Sequence, residues 1–273
     1  MEQTLALDRA ELEEKLSQSE TFVHQLARYS RNEKGMTVYQ PSLDGYSNRL
    51  STVIRDQIVT VLLAGRDTTG ATLSWVFYEL GRNPRVVSKI RKEVLSHVGS
   101  DPKSLPSYTN LKEMKYLNHV INETLRLYPI VPYNMRTSLT ATTLPRGGGS
   151  DGMSPIGVNK DTAVVFSTLQ MQRRRDLYPP ISDSFPYDPA RWVPERWETW
   201  TPKAWQFIPF SGGPRICIGQ QFALLEIGYT ICRIFQYFSR MDSKVDVGTE
   251  VPDIMHSDLV MTPETDVKVG LYK

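Results

Sequence analysis

The sequence predicts a mainly α fold with a minor β region, and three observations predict it. Apolar residues recur at helical spacing through most of the chain as far as Leu127. After Pro129 that period gives way to short β-like runs around the turn Gly147-Gly148-Gly149. One long apolar-periodic run then returns at 220–239, ahead of short closing strands.

Each element has its own justification. Residues 4–29 read as a helix, with Leu5, Leu12, Leu16, Phe22, Val23, Leu26 and Tyr29 at helical spacing among charges. Residues 30–48, holding Gly35, Pro41 and Gly45, read as a loop. A long helix follows from about Arg49 to Leu80, stopped by Gly81 and Pro84. A charged amphipathic helix is expected over 85–98, and another from Leu111 to Leu127, closed by Pro129. Ala163 to Leu169 reads as a strand, and the Pro- and aromatic-rich stretch 178–214 as ordered but irregular. There is no internal repeat and no clean domain boundary.

Composition sets limits on function. Hydrophobic content of 40% and charged content of 23% are ordinary for a globular protein. A net charge of +2, with no basic run interleaved with aromatics, argues against nucleic acid as a partner. Two cysteines, Cys217 and Cys232, make no disulfide framework. The longest apolar stretch, Val59 to Gly65, is too short to span a membrane. The histidines at 24, 97, 119 and 256 stand in no motif, which leaves a cysteine-nucleophile enzyme without its base.

The most informative stretch is Phe210-Ser211-Gly212-Gly213-Pro214-Arg215-Ile216-Cys217-Ile218-Gly219. It sets one cysteine in a Gly/Pro-rich loop just before a helix. A lone cysteine is most often inert core, as Cys232 is expected to be among Ile231, Ile234 and Phe235. Cys217 stands in the opposite kind of setting, suited to offering its sulfur to a metal. The pattern Phe-x-x-Gly-x-Arg-x-Cys-x-Gly resembles the haem-binding loop of the cytochromes P-450, the haem-thiolate monooxygenases. A thiolate ligand raises electron density at haem iron and favours O–O cleavage. The resemblance makes Cys217 the proximal iron ligand, Arg215 a partner of a haem propionate, and Phe210 a neighbour of the sulfur. Gly213 and Gly219 would let backbone and helix start approach the macrocycle without a Cβ in the way.

Other segments agree with that resemblance. Ala64-Gly65-Arg66-Asp67-Thr68-Thr69 places poor helix formers inside the long helix. It resembles the family's oxygen-activating helix, with Ala64 and Gly65 opening a notch beside the cofactor and Asp67 and Thr68 managing protons. Glu123-Thr124-Leu125-Arg126 sets an acid and a base at i and i+3, usually a solvated surface pair of little weight. The family instead ties Glu-x-x-Arg to a later arginine, which Pro194-Glu195-Arg196-Trp197 identifies here as Arg196. The carboxylate of Glu123 would then be bidentate to Arg126 and Arg196 together, a structural role. In Tyr128 to Arg136, the resemblance assigns Arg136 to the second propionate and Val131, Pro132 and Asn134 to the substrate. Met171 to Asp176 resembles a segment where histidine is more usual than Gln172, a departure that touches no identifiable chemistry. Its arginines are expected to form a solvated face. Trp192 to Arg196 spells the Trp-x-x-x-Arg with which the family's haem-gripping helix is marked, but Pro194 argues against a helix there.

The resemblance covers nearly all of residues 1–273 and implies an incomplete domain, the C-terminal part of the cytochrome P-450 fold. It implies haem (heme, iron protoporphyrin IX) as cofactor, O2 and an apolar small molecule as substrates, and an NADPH-dependent cytochrome P-450 reductase as electron donor. Asp67 and Thr68 disfavour the family's oxygen-independent rearranging members. The wording around the motifs is nearest the fungal alkane and fatty-acid hydroxylases, so the expected substrate is long-chain. A full-length form would sit at the endoplasmic reticulum membrane. The competing expectation is a truncated product without activity, at best a partial haem binder.

Overall fold

A computed structural model describes residue 14 and residues 50–244 and 255–273. The expected loop at 30–48 lies outside the described residues, as does the expected helix at 4–29 apart from Glu14, which is helical and exposed. Two compact units divide at Arg66 and Asp67, within the first described helix, and the second unit runs from Asp67 to Lys273. The helices are α1 (Leu50–Leu80), α2 (Pro84–His97), α3 (Tyr108–Glu113), α4 (Lys115–Leu127), α5 (Thr168–Met171), α6 (Arg196–Thr199) and α7 (Gln220–Tyr237). The strands are β1 (Tyr133–Thr137), β2 (Thr142–Gly148), β3 (Ser154–Val158), β4 (Ala163–Ser167), β5 (Arg240–Ser243), β6 (Met255–Ser257), β7 (Met261–Pro263) and β8 (Val269–Tyr272). They pair only as two-stranded antiparallel ladders among the described residues: β1 with β4, β2 with β3, β5 with β8 and β6 with β7.

The core of the second unit is helical. Ala71, Trp75, Val76 and Leu80 of α1 join Val87, Ile90 and Val94 of α2, Leu117, Val120 and Ile121 of α4, and Ile227, Ile231, Cys232 and Phe235 of α7. Each set recurs at three- and four-residue intervals, as one face of a helix must. Trp75 stacks on Tyr128 with centroids 4.0 Å apart, and its indole N–H donates to the Met261 carbonyl at 3.1 Å, tying α1 to β7. Cys232 is buried and its thiol is pushed up to about 11 by burial, the inert core residue its context implied.

Two expectations are corrected. The helix expected from Leu111 to Leu127 starts earlier and is broken at Met114, whose φ of −70° and ψ of 85° are not helical. Ser107 and Asn110 form a reciprocal capping box that starts α3 at Tyr108. At the break, the Asn118 amide donates to the carbonyls of Leu111 at 3.2 Å and Met114 at 2.8 Å. The Glu93 carboxylate, from α2, accepts the N–H groups of Tyr116 and Leu117, both at 2.9 Å. A helix start has unpaired N–H groups and a partial positive charge, so a carboxylate from a neighbouring helix satisfies both needs. The strand expected through Leu169 ends at Ser167, because the Ser167 hydroxyl accepts the Gln170 N–H and caps α5.

Helix α2 therefore serves two neighbours at once. Three residues of chain hold Arg91, which donates to the Phe235 and Phe238 carbonyls at the end of α7 at 3.0 and 2.7 Å, and Glu93, which caps α4. Replacing Glu93 by Ala should destabilise the protein by about 2 kcal/mol, the upper range for a lost cap. Urea unfolding of the variant checks this, with exchange of the Tyr116 and Leu117 amides accelerated.

Candidate functional site

The framework of the site is a buried ionic cluster. Glu123, Arg126 and Arg196 are all 0% exposed. Arg126 grips Glu123 with two bonds, Nε to Oε2 at 2.8 Å and Nη2 to Oε1 at 2.9 Å. Arg196 adds one bond, Nε to Oε1 at 3.2 Å, so the expected second bidentate pair is replaced by a single contact. Its place is taken by the Val193 N–H at 2.8 Å and the Trp197 indole N–H at 3.0 Å. The remaining guanidinium protons are satisfied by carbonyls: Arg126 by Pro189 at 2.8 Å and Arg191 at 3.0 Å, Arg196 by Asp188 at 2.8 Å and Tyr187 at 3.2 Å. This is the condition under which buried charge is tolerated. The cluster pins the irregular segment 187–197 to α4.

Gln172 extends that attachment toward the cysteine loop. It is 0% exposed, and its side chain bridges the Leu125 and Arg126 carbonyls to the Ile208 N–H. Arg173 donates to the Leu127 carbonyl at 3.2 and 2.7 Å, so only Arg174 and Arg175 are on the solvated face expected of the whole segment. Gln172 is a residue that sequence reasoning passed over. Its signals were a departure from the more usual histidine, to which no chemistry was attached, and a polar side chain flanked by Leu169 and Met171 on one side and arginines on the other.

The cysteine loop is held by short local bonds. Ser211 N–H donates to the Ile208 carbonyl at 3.0 Å, and Cys217 N–H to the Phe210 carbonyl at 2.9 Å. Phe210 packs half-buried against the core, while Gly213, Arg215 and Cys217 are exposed. Two of the three non-glycine residues with positive φ among the described residues lie here, Trp205 at 69° and Ser211 at 62°. Such backbone is costly for a bulky residue and collects at functional sites. The Trp205 indole lies flush over Gly212, where an added Cβ would meet Cζ3 at 2.5 Å. Trp205 thus explains why residue 212 is glycine, a contact no motif announced.

The remaining candidates occupy α1, β1 and the two residues just before β1. Helix α1 runs unbroken through Ala64 to Thr69, with the Thr72 hydroxyl donating back to the Thr68 carbonyl at 2.9 Å. A Cβ added at Gly65 would meet nothing within 4 Å, so that face of the helix is open there. Ala64 and Asp67 are exposed, Thr68 is half-buried, and the Thr69 hydroxyl is buried without a hydrogen-bond partner. On β1, Arg136 is exposed and lies 5.9 Å from the centre of the Phe166 ring. The Asn134 amide donates to the Thr168 hydroxyl at 3.4 Å, Val131 is half-buried, and Pro132 is buried with its carbonyl accepting the Thr168 N–H at 2.9 Å.

These residues fit a haem. Ile216 at 55%, Ile218 at 100% and Phe222 at 67% exposure lie within five residues of the exposed Cys217 in the chain, apolar surface suited to a flat apolar macrocycle. A Cβ at Gly219 would stand 3.9 Å from Cys217 Sγ, in ordinary van der Waals contact with it. Among the described residues no three His, Cys, Asp or Glu side chains gather as a metal cage. A single thiolate suits a metal whose other ligands come from the macrocycle.

Truncating Glu123 to Ala should destabilise the protein by about 3–5 kcal/mol, since two guanidiniums would remain buried without their anion. Thermal or urea unfolding reads the loss. A fall below about 1 kcal/mol would mean the pair behaves as a solvated one.

Comparison with known proteins agrees with this geometry. The family model described as Cytochrome P450 matches residues 15–271. Cytochrome P450 monooxygenase pvhE of Talaromyces variabilis is 52% identical over 222 residues, covering 81% of this chain and 40% of the relative. Cytochrome P450 52A1 of Candida tropicalis is 42% identical over 224 residues, 81% of this chain and 40% of the relative. Cytochrome P450 52A13 of Debaryomyces hansenii is 39% identical over 264 residues, 96% of this chain and 46% of the relative. The chain thus spans less than half the length of these relatives, and the match runs through the helices, the ionic cluster and the cysteine loop alike: it belongs to the cytochrome P450 family.

Proposed function

We propose that this chain carries the oxygen-activating and sulfur-ligating parts of a haem-dependent monooxygenase, with Cys217 as the iron's protein ligand. The observation that carries this reading is the exposed Cys217, its N–H held by the Phe210 carbonyl, with exposed apolar residues Ile216 and Ile218 on either side of it in the chain. Haem, when held there, would supply the redox-active centre for inserting one atom of O2 into a C–H bond, the other leaving as water with two electrons from the redox partner and two protons. Members of the cytochrome P450 family carry that cofactor and draw electrons from a redox partner, here taken to be an NADPH-dependent reductase at the endoplasmic reticulum membrane. No described helix is long and apolar enough to cross a membrane.

The chain's own residues have distinct tasks in this reading. The Cys217 sulfur donates charge to the iron. Arg215 and Arg136, both exposed, are free of carboxylate partners among the described ion pairs and would hold the two propionates. Asp67 and Thr68 would hold and pass a proton at the carboxylate and at Oγ1, beside the notch left by Ala64 and Gly65. Val131, Pro132 and Asn134 would border the substrate. The likeness of the motifs around Ala64 to Thr69 and Pro209 to Leu224 to fungal alkane and fatty-acid hydroxylases supports an apolar, long-chain substrate. The Glu123–Arg126–Arg196 cluster stays outside the chemistry.

A second reading has its own observation. Ile218 and Phe222 are exposed on the cysteine side, and Val59, Val61, Leu62 and Leu63 are exposed on α1. Such apolar surface favours association over turnover when the 273-residue chain is alone. Purifying it with haem, reductase and NADPH separates the two readings. Absence of turnover supports the second, and a monomer with stoichiometric haem and reductase-dependent product overturns it.

Two variants test the assignment of residues in a full-length monooxygenase carrying this sequence. Cys217→Ala should abolish the red-shifted ferrous–CO absorption that marks a thiolate-ligated haem, and an intact band would refute the ligand. Thr68→Ala should keep that band but divert reducing equivalents to peroxide, roughly tenfold or more relative to product, within the usual span of a lost proton-transfer group. Product yield per NADPH unchanged from the parent would remove Thr68 from the proton path.

A further inference from the structure

We propose that Gln172 is a positioning residue for the cysteine loop, fixing its seat against the end of α4. The proposal rests on the reading of Cys217 as the sulfur ligand for its purpose, but the coupling itself is a matter of this chain's hydrogen bonds. Every polar atom of the Gln172 side chain is used. Nε2 donates to the Leu125 carbonyl at 3.1 Å and the Arg126 carbonyl at 2.9 Å, and Oε1 accepts the Ile208 N–H at 2.9 Å. The Leu125 and Arg126 carbonyls lie in the last turn of α4, where no further intrahelical donor remains for them. Ile208 is in turn the residue from which the loop is hung. Its carbonyl accepts the Ser211 N–H at 3.0 Å, and two residues beyond it the Phe210 carbonyl accepts the Cys217 N–H at 2.9 Å. The backbone of Gln172 is itself held by the ionic cluster, with its carbonyl accepting from Arg126 Nη1 at 3.4 Å and from the Tyr178 hydroxyl.

A continuous set of bonds thus leads from Glu123 and Arg126 through Gln172 to Ile208 and Phe210 and on to the cysteine. A primary amide of this length meets all three demands at 172, where two carbonyls need donors and one N–H needs an acceptor. A glutamate would set a carboxylate oxygen against two carbonyl oxygens. A methionine of similar shape would leave three buried backbone groups unpaired. A neutral imidazole could keep one donor and one acceptor. The residue is fully buried, so water does not replace what is lost.

The test uses Gln172→Met, Gln172→Glu and Gln172→His in the 273-residue chain, each read in two ways that need no turnover. Amide exchange is followed at Ile208 and across 205–217, with α2 as internal reference. Alkylation by iodoacetamide is followed at Cys217 by peptide mass. Cys232 is 0% exposed and does not compete. Gln172→Met and Gln172→Glu should raise exchange at Ile208 about tenfold, the loss of a buried hydrogen bond of ordinary strength, and change the Cys217 alkylation rate several-fold. Gln172→His should stay within about threefold of the parent. Wild-type exchange at Ile208 in Gln172→Met overturns the proposal, as does loosening spread equally over α2. The ferrous–CO band of the haem-loaded parent separates this from the functional reading. A parent without a thiolate-type band whose Ile208 still depends on Gln172 sinks the haem reading and keeps the positioning role. A thiolate-type band with Ile208 indifferent to Gln172 does the reverse.

Discussion

Glu123 is an anion with no exposed surface, and the segment that follows β4 is arranged around the need to keep it paired. Its two oxygens receive Arg126, Arg196, the Val193 N–H and the Trp197 indole, which come from a helix and from an irregular stretch about seventy residues later. Long-range closure of this kind is entropically unfavourable without strong bonds at the closing point. The irregular segment has no ladder or helix of its own to hold it, apart from the single turn α6. Its backbone carbonyls at Tyr187, Asp188, Pro189 and Arg191 find their donors in the two guanidiniums instead. The ionic cluster thus does for this stretch what a sheet does for a strand.

The helical frame and the ion cluster distribute the work differently. Helix α2 supplies opposite charges to two opposite helix ends, Arg91 to the carbonyls closing α7 and Glu93 to the amides opening α4. Both placements match the sign of the helix dipole. The result is that α4 is fixed at its start by α2 and at its end by Gln172 and Arg173. The cysteine loop inherits its position from a helix held at both ends.

What the sequence made legible follows from the range of the interactions involved. Helices α1, α2 and α7 were readable because their apolar period and their Gly or Pro stops are local. The break at Met114 was not, since Glu93, which stabilises it, is about twenty residues away and looks like any surface glutamate. Composition alone could not tell that Glu123 and Arg126 are buried: an i, i+3 pair on a helix reads the same in water or in a core. Only the resemblance to a known family, through Arg196, pointed inward. The cysteine loop stood out by its residue types, yet the role of Trp205 over Gly212 needed the fold, because a tryptophan with positive φ has no sequence signature. Gln172 was missed for the related reason that a buried amide and an exposed one are spelled alike.

The contrast between the two thiols carries a consequence for the chain's chemical survival. Cys232 is enclosed and its thiol is pushed up to about 11, so it offers little thiolate and no access. Cys217 stands in the open. An oxidant therefore meets Cys217 first, and the first product, a sulfenic acid, finds no second accessible cysteine with which to close a protective disulfide. Further oxidation to the sulfinic acid is irreversible for a protein outside the few repaired by a dedicated enzyme. Until its sulfur is covered, Cys217 is the one cysteine of this chain open to that loss.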